Sequence, residues 1–318
     1  MISFFANLFG YVLNFLYELV GNYGWAIILF SVLVKIIMLP ISIKQQQTMK
    51  KSQKINDEMK QIQFKYKNDP EKMNQEVMSL YKREKLSPFS GCFSAIVQLL
   101  LLLAVFYLVR SPLTYMKKVD PEVISELETV VEEQGNTSNY KEISVINYIN
   151  SLENQDSVNE EEKNDINEVN QEENNENEEF NINDYKDKVY INMDFLGLDL
   201  SKVPTEDLRD LKVLIIPALY VISSFISIKL TNNSTTKKKD KNLIGDGTDK
   251  KEMDEYDAMA EANKSMSWFM PLMSISIACI APLGLALYWL VNNILMIFER
   301  IVLNKFFKDD KEEAKSNA

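Results

Sequence analysis

The chain of 318 residues has no histidine and only two cysteines, Cys92 and Cys279. Without histidine there can be no Ser-His-Asp triad, no Cys-His pair and no His-ligated metal. Two cysteines cannot build a disulfide-dense scaffold or a four-Cys zinc or iron–sulfur site. Both lie in or beside apolar runs, where cysteine acts as a small hydrophobe. The nine glycines include no Walker A loop. No nucleophile–base or metal constellation is present. The expectation is a protein that is not an enzyme and needs no cofactor.

What is present is apolar sequence in long runs. The formal net charge is -11 and 25% of residues are charged, averages that describe an acidic soluble protein. The averages mislead. A membrane-spanning helix needs about 20 mostly apolar residues. Five stretches approach this: 25–43, 89–109, 211–230, 268–281 and 285–303. The last two are separated only by Pro282-Leu283-Gly284, a tight-turn signal, and read as a helical hairpin. The fourth is short and contains Pro271, which leaves its entry end open.

Residues 1–20 form a further apolar stretch. Ser3, Asn7, Asn14 and Glu18 fall on one helical face, with phenylalanines and leucines on the remainder. That pattern favours an amphipathic helix lying in the membrane interface. The competing reading is a spanning anchor joined to the first span through Gly21-Asn22-Tyr23-Gly24.

Charge sets the orientation. Segment 44–86 carries eleven basic and six acidic residues, and by the positive-inside rule it is cytoplasmic. Alternation then places 110–210 outside, 231–264 inside, the turn 282–284 outside and the tail 304–318 inside. Within the basic loop, Met49, Ile55, Met59 and Ile62 recur at near-helical spacing, as do Met73, Val77, Leu80 and Tyr81. Lys67-Asn68-Asp69-Pro70 between them is a turn with proline opening the next helix. The loop reads as an antiparallel helical hairpin that either packs only on itself or also meets lipid head groups or a partner. Segment 111–212 is the opposite, with 9 basic and 26 acidic residues. Its part from Glu132 to Asp187 is rich in Asn and Glu and is expected to be largely disordered. Acidic and external, it makes no nucleic-acid site.

Lys35 is the chemical clue. It interrupts Ile27–Leu39, about 12 Å from Ile43 at 1.5 Å per residue. A lipid-facing ammonium at this depth costs a few kcal/mol. No acid occurs within the spans before Glu299 at the end of the fifth, so a buried partner is not expected. Either a water-filled cavity open to the cytoplasm receives the charge, or the side chain snorkels. Gln98, Ser223, Ser224, Ser227, Tyr288, Trp289, Asn292 and Asn293 are further candidates to line such a groove, with Ser274 and Ser276. For the serines, bonding to their own helix backbone is an ordinary alternative.

Several ordered blocks now carry a resemblance. They are Gly24-Trp25-Ala26-Ile27-Ile28-Leu29 with Val34-Lys35-Ile36-Ile37-Met38-Leu39-Pro40; the stretch from Lys60 to Lys72 running on to Leu80-Tyr81-Lys82; and Gly91-Cys92 with Gln98. Two more follow: Asp194-Phe195-Leu196-Gly197-Leu198-Asp199-Leu200, and Phe269-Met270-Pro271-Leu272-Met273 with Pro282–Trp289. In this order they resemble the YidC/Oxa/Alb membrane protein insertase family over residues of about 15–110 and 193–305.

The resemblance implies an all-α polytopic membrane protein. Its parts would be a five-helix transmembrane core, a cytoplasmic antiparallel helical hairpin and an N-terminal interfacial helix. It implies a cationic hydrophilic groove, open to cytoplasm and lipid, that inserts nascent membrane proteins into the bilayer without nucleotide hydrolysis. The family's groove arginine falls on Lys35, its second-span glutamine on Gln98 and its last-span aromatic pair on Tyr288 and Trp289. The implied location is the bacterial cytoplasmic membrane, multi-pass with a cytoplasmic C-terminus. The Sec translocon and the ribosome are candidate partners beside nascent chains and lipid. The sequence departs from the pattern in Lys for Arg at 35, Leu99 where many relatives have proline, a far longer external loop, and a tail of zero net charge from Asn304. Two other functional classes remain in view, a small transporter or channel with Lys35 as an anion site, and a non-catalytic translocon adaptor.

Overall fold

The computed structural model describes residues 2–66, 69–84, 90–135, 138–162, 182–207, 209–235 and 276–316. The named helices are α1 (Ile2–Val20), α2 (Tyr23–Lys65), α3 (Pro70–Arg83), α4 (Ser90–Arg110), α5 (Pro121–Glu133), α6 (Lys141–Glu162), α7 (Lys186–Val189), α8 (Ile215–Thr235) and α9 (Leu283–Ser316). Four stretches are long and apolar enough to cross a membrane: Ile2–Val20, Tyr23–Thr48, Leu211–Leu230 and Leu283–Leu303; Leu99–Arg110 is a shorter apolar helix. The protein is an all-α polytopic membrane protein, and the one departure among the described residues is a ladder of two two-residue strands, β1 (Asp194–Phe195) and β2 (Leu198–Asp199). Of the fourth expected span, 268–281, residues 268–275 lie outside the described residues, as do most of loop 231–264 and the last two residues of the tail.

The chain divides into two compact units. The first comprises Met1–Ser31, Leu103–Val221 and Phe269–Val291. In it, α1 turns Ala6, Gly10, Leu13 and Tyr17 inward, at helical spacings of four, three and four. This stripe is small at its centre because a π-helical turn, Leu113–Lys117, lies against it. A Cβ on Gly10 would stand 1.8 Å from the Tyr115 carbonyl oxygen. Phe4, Leu8, Tyr11, Phe15 and Leu19 face outward. The outward face is thus apolar as well as the inward one, and α1 carries enough apolar surface either to lie in an interface or to span.

The ladder joins two helix starts. Leu196 (φ 54°) and Gly197 (φ 76°) both adopt left-handed backbone, which is what a two-residue type I′ hairpin needs. The turn aims Phe195 at Gly24, where a Cβ would stand 2.3 Å from the ring, and at Trp25, with ring centroids 5.4 Å apart. Asn22 caps α2, its Oδ1 accepting from the Gly24 and Trp25 N–H groups while its Nδ2 donates to the Asp194 carbonyl. At the other helix, the Gly284 N–H donates to the Leu200 carbonyl at 3.0 Å.

The acidic segment is more ordered than its composition suggests. Residues 163–181 lie outside the described residues. Before them, Asp120 caps α5 with Pro121 at its first position. Ile124, Leu127 and Val131 of α5 are buried, as are Ile143, Val145, Ile146 and Ile149 of α6. The two helices pack together, and Asn150 Nδ2 donates to the Ile191 carbonyl at 3.0 Å. The expectation of a largely disordered stretch from Glu132 is therefore corrected up to Glu162 and again from Ile182 onward. Amphipathic stripes within an acidic average supply enough apolar burial to offset the chain entropy.

The second unit comprises Val32–Leu102, Ile222–Trp268 and Asn292–Ala318. Residues 44–65 are not a separate element: α2 continues through them as one helix, with Pro40 inside it. Its 43 residues reach about 65 Å. α3 returns antiparallel to it, started by Asp69, whose Oδ1 accepts from the Lys72 N–H at 3.0 Å. Ile55 and Leu80 are buried, Tyr81 Oη donates to Met59 Sδ at 3.7 Å, and Arg83 pairs with Glu58.

Candidate functional site

In the second unit the helices are inside out relative to a soluble protein. On α2, Ile36 and Ile37 are 62% and 58% exposed, yet the Lys35 side chain between these residues and the interior is only 19% exposed. On α9, Ile294 and Phe298 face outward while Asn293 and Glu299 face inward. On α8, Ile222, Phe225 and Ile226 are exposed and Ser223, Ser224 and Ser227 are buried. Apolar surface outside and polar groups inside is the arrangement that hydrocarbon solvent selects.

Two polar contacts organise this interior. Lys35 Nζ lies 2.5 Å from Glu299 Oε2. The expectation that Lys35 has no acidic partner is thus overturned. The sequence treats Glu299 as the end of a span, but α9 runs on to Ser316, so the residue sits within the helix and is presented sideways to α2. Water need not supply the whole counter-charge. The second contact joins α9 to α8: Asn293 Nδ2 donates to Ser223 Oγ at 2.9 Å and to Ser224 Oγ at 3.1 Å, using both amide hydrogens. These serines therefore do more than bond their own helix.

The remaining candidates are placed separately. Ser227 is buried and Asn292 half-buried in the second unit. Tyr288 and Trp289 belong to the first unit; Tyr288 is buried and Trp289 meets Tyr220 with ring centroids 6.3 Å apart. Gln98 lies on α4 and Met49 on α2, with side chains outside the described residues, and Ser274 is outside them altogether. In the hairpin, Ile55 and Leu80 are consumed by packing, and Met59, Ile62, Met73, Val77 and Tyr81 are half-buried. The apolar surface it offers is instead Met78, 45% exposed, and Phe64, 84% exposed, neither of which the spacing argument selected. Glu299 was equally missed. Its signal is an acid between Phe298 and Arg300 in a largely apolar run.

A family model described as 60Kd inner membrane protein matches residues 15–312. The chain belongs to this family. Curated relatives, each named membrane protein insertase YidC, match over shorter stretches. The Helicobacter pylori protein is 40% identical over 106 residues, covering 33% of this chain and 19% of its own. The Caldanaerobacter subterraneus protein is 40% identical over 102 residues, 32% of this chain and 50% of its own. The Fusobacterium nucleatum protein is 37% identical over 119 residues, 35% of this chain and 58% of its own. The chain thus matches between about a fifth and three fifths of the length of these relatives.

Proposed function

We propose that the protein is a membrane protein insertase, as its relatives are named. The observation that carries this reading is the inside-out unit, in which Lys35, Glu299, Asn293 and the α8 serines sit inside helices whose outer faces are apolar. Such an interior gives a polar stretch of polypeptide partners within the depth of the bilayer, and so lowers the cost of moving it through hydrocarbon. Burial of the following apolar segment in lipid drives its exit. The substrates are nascent membrane proteins. The basic hairpin captures them on the cytoplasmic face, Lys35 with Gln98 receives the polar segment, and the apolar segment leaves along α8 and α9. No nucleotide is hydrolysed. By the positive-inside rule the tail is cytoplasmic, in the bacterial plasma membrane.

The test is reconstitution of the full chain in proteoliposomes with a single-span substrate. Insertion above that of protein-free vesicles is expected, slowed by Lys35→Ala and Lys35→Glu. Wild-type rates in both variants with every substrate refute the role of the charge. Crosslinking from position 98 or 289 to a nascent chain separates an insertase from an adaptor, which would crosslink only to translocon subunits.

A further inference from the structure

Lys35 does not meet a substrate as a bare cation. Glu299 Oε2 holds its Nζ at 2.5 Å, and the two side chains are 11% and 19% exposed for the acid and the base. The other oxygen, Glu299 Oε1, is buried and accepts no hydrogen bond among the described residues. Each carboxylate oxygen has two lone pairs and the ammonium has three donors, so both partners hold unused capacity. A half-satisfied carboxylate in a low-dielectric interior gains from a further donor.

We propose that Glu299 is a specificity-determining residue, and that the Lys35–Glu299 pair is opened by charged residues of the entering segment. An acidic side chain replaces Glu299 on Lys35, and a basic side chain completes the open oxygen of Glu299. This deepens the insertase reading and rests on it. The chemistry is exchange of one charge-assisted hydrogen bond for another. An acidic side chain that takes Lys35 leaves the Glu299 carboxylate without its cation, the costly outcome, whereas a basic side chain leaves the Lys35–Glu299 pair matched and adds a donor to it. The competition has a sign. Glu299 opposes acidic segments by occupying Lys35 and favours basic ones by accepting from them. The partner class is therefore polar segments of either charge, not acidic segments alone.

The test uses the full chain in proteoliposomes and one single-span substrate in three versions, with two Asp, two Lys or two Ser in the translocated segment. Glu299→Gln is expected to raise the Asp-to-Lys insertion ratio about tenfold, the size of one hydrogen bond to a charged group. Lys35→Gln lowers the ratio by a similar factor, and the double variant inserts all three versions alike. Opposite movements from two isosteric or near-isosteric changes cannot arise from misfolding. A ratio unmoved by Glu299→Gln, or an equal slowing of all three versions, overturns the inference while the insertase reading stands. If the wild-type protein fails to insert even the Ser version above protein-free vesicles, the insertase reading falls and the inference with it.

Discussion

Lys35 and Glu299 form a partly enclosed ion pair, Nζ to Oε2 2.5 Å, between α2 and α9. Buried pairs of this kind have an asymmetric energetic signature. Removing one partner strands the other charge and costs about 3–5 kcal/mol, whereas replacing both with apolar groups of similar volume is close to neutral. Lys35→Met and Glu299→Met are each expected to lower the thermal midpoint in detergent. The double change is expected to recover most of the loss. Additive losses in the double variant, read by the same melts, argue that the two side chains contribute independently.

The amide cluster predicts a smaller effect. Asn293→Ala removes the two donors that reach Ser223 and Ser224. Loss of buried hydrogen bonds with the acceptors left behind costs about 1–3 kcal/mol. Asn293→Asp substitutes acceptors for donors and adds a charge, so it is expected to destabilise more than alanine does. A thermal series over both variants decides it.

How far the sequence announces these contacts depends on the range of the interaction. Apolar runs and the Asp69-Pro70 helix start are local, and they place the helices and the turn into α3 directly. Lys35 is conspicuous because one charge breaks an apolar run. Its partner is not, because 264 residues separate the two and only the rotational setting of α9 brings Glu299 inward. The hairpin shows the reverse difficulty. Helical spacing picks out Ile55 and Leu80, but spacing cannot tell a stripe that packs on its own hairpin from one that faces a partner. The acidic segment misleads through its mean charge, which hides the stripe Ile124, Leu127, Val131 that packs α5 on α6.

The packing of α1 on the π-helical turn is a steric prediction. A Cβ at position 10 meets backbone, the Tyr115 carbonyl at 1.8 Å, so no side-chain rotation relieves it. Gly10→Ala must displace α1 or the turn. A loss of about 1–3 kcal/mol is expected, the usual cost of overfilling a packed contact. Limited proteolysis of the 111–120 segment checks it: faster cleavage in the variant is expected, and unchanged protection counts against the contact.

The acidic cap carries a pH dependence. Glu142 is buried, and burial raises its pKa; hydrogen bonds from the Thr114 hydroxyl and from the Thr114 and Leu113 N–H groups offset this only in part. A raised folded-state pKa means the folded cap holds its proton to higher pH than the unfolded chain does. Its contribution is therefore full below the ordinary carboxylate range and is lost as pH rises through the folded value. Protection of residues 111–117 and 141–150 from hydrogen exchange is expected to fall across that window. Glu142→Gln, which keeps the acceptor and cannot ionise, is expected to flatten the profile, and an unchanged slope would point to another group.

Two substitutions in the hairpin separate stability from the proposed capture. Leu80 is 2% exposed, and Leu80→Ala removes a buried side chain at a cost of about 2–5 kcal/mol. That change is expected to loosen α3 and to slow insertion of every substrate. Met78 lies on the outer face, 45% exposed, beside the shallow hollow lined by Glu71, Asn74, Gln75, Ser79 and Lys82. A methionine side chain there would suit the proposed capture of apolar segments of varied shape, being soft and adaptable. Met78→Glu is expected to leave the stability within about 0.5 kcal/mol of wild type, as surface changes do. It is expected to reduce crosslinking of the hairpin to a nascent apolar segment. Equal crosslinking in Met78→Glu and wild type, with Leu80→Ala alone defective, assigns the hairpin a purely structural role.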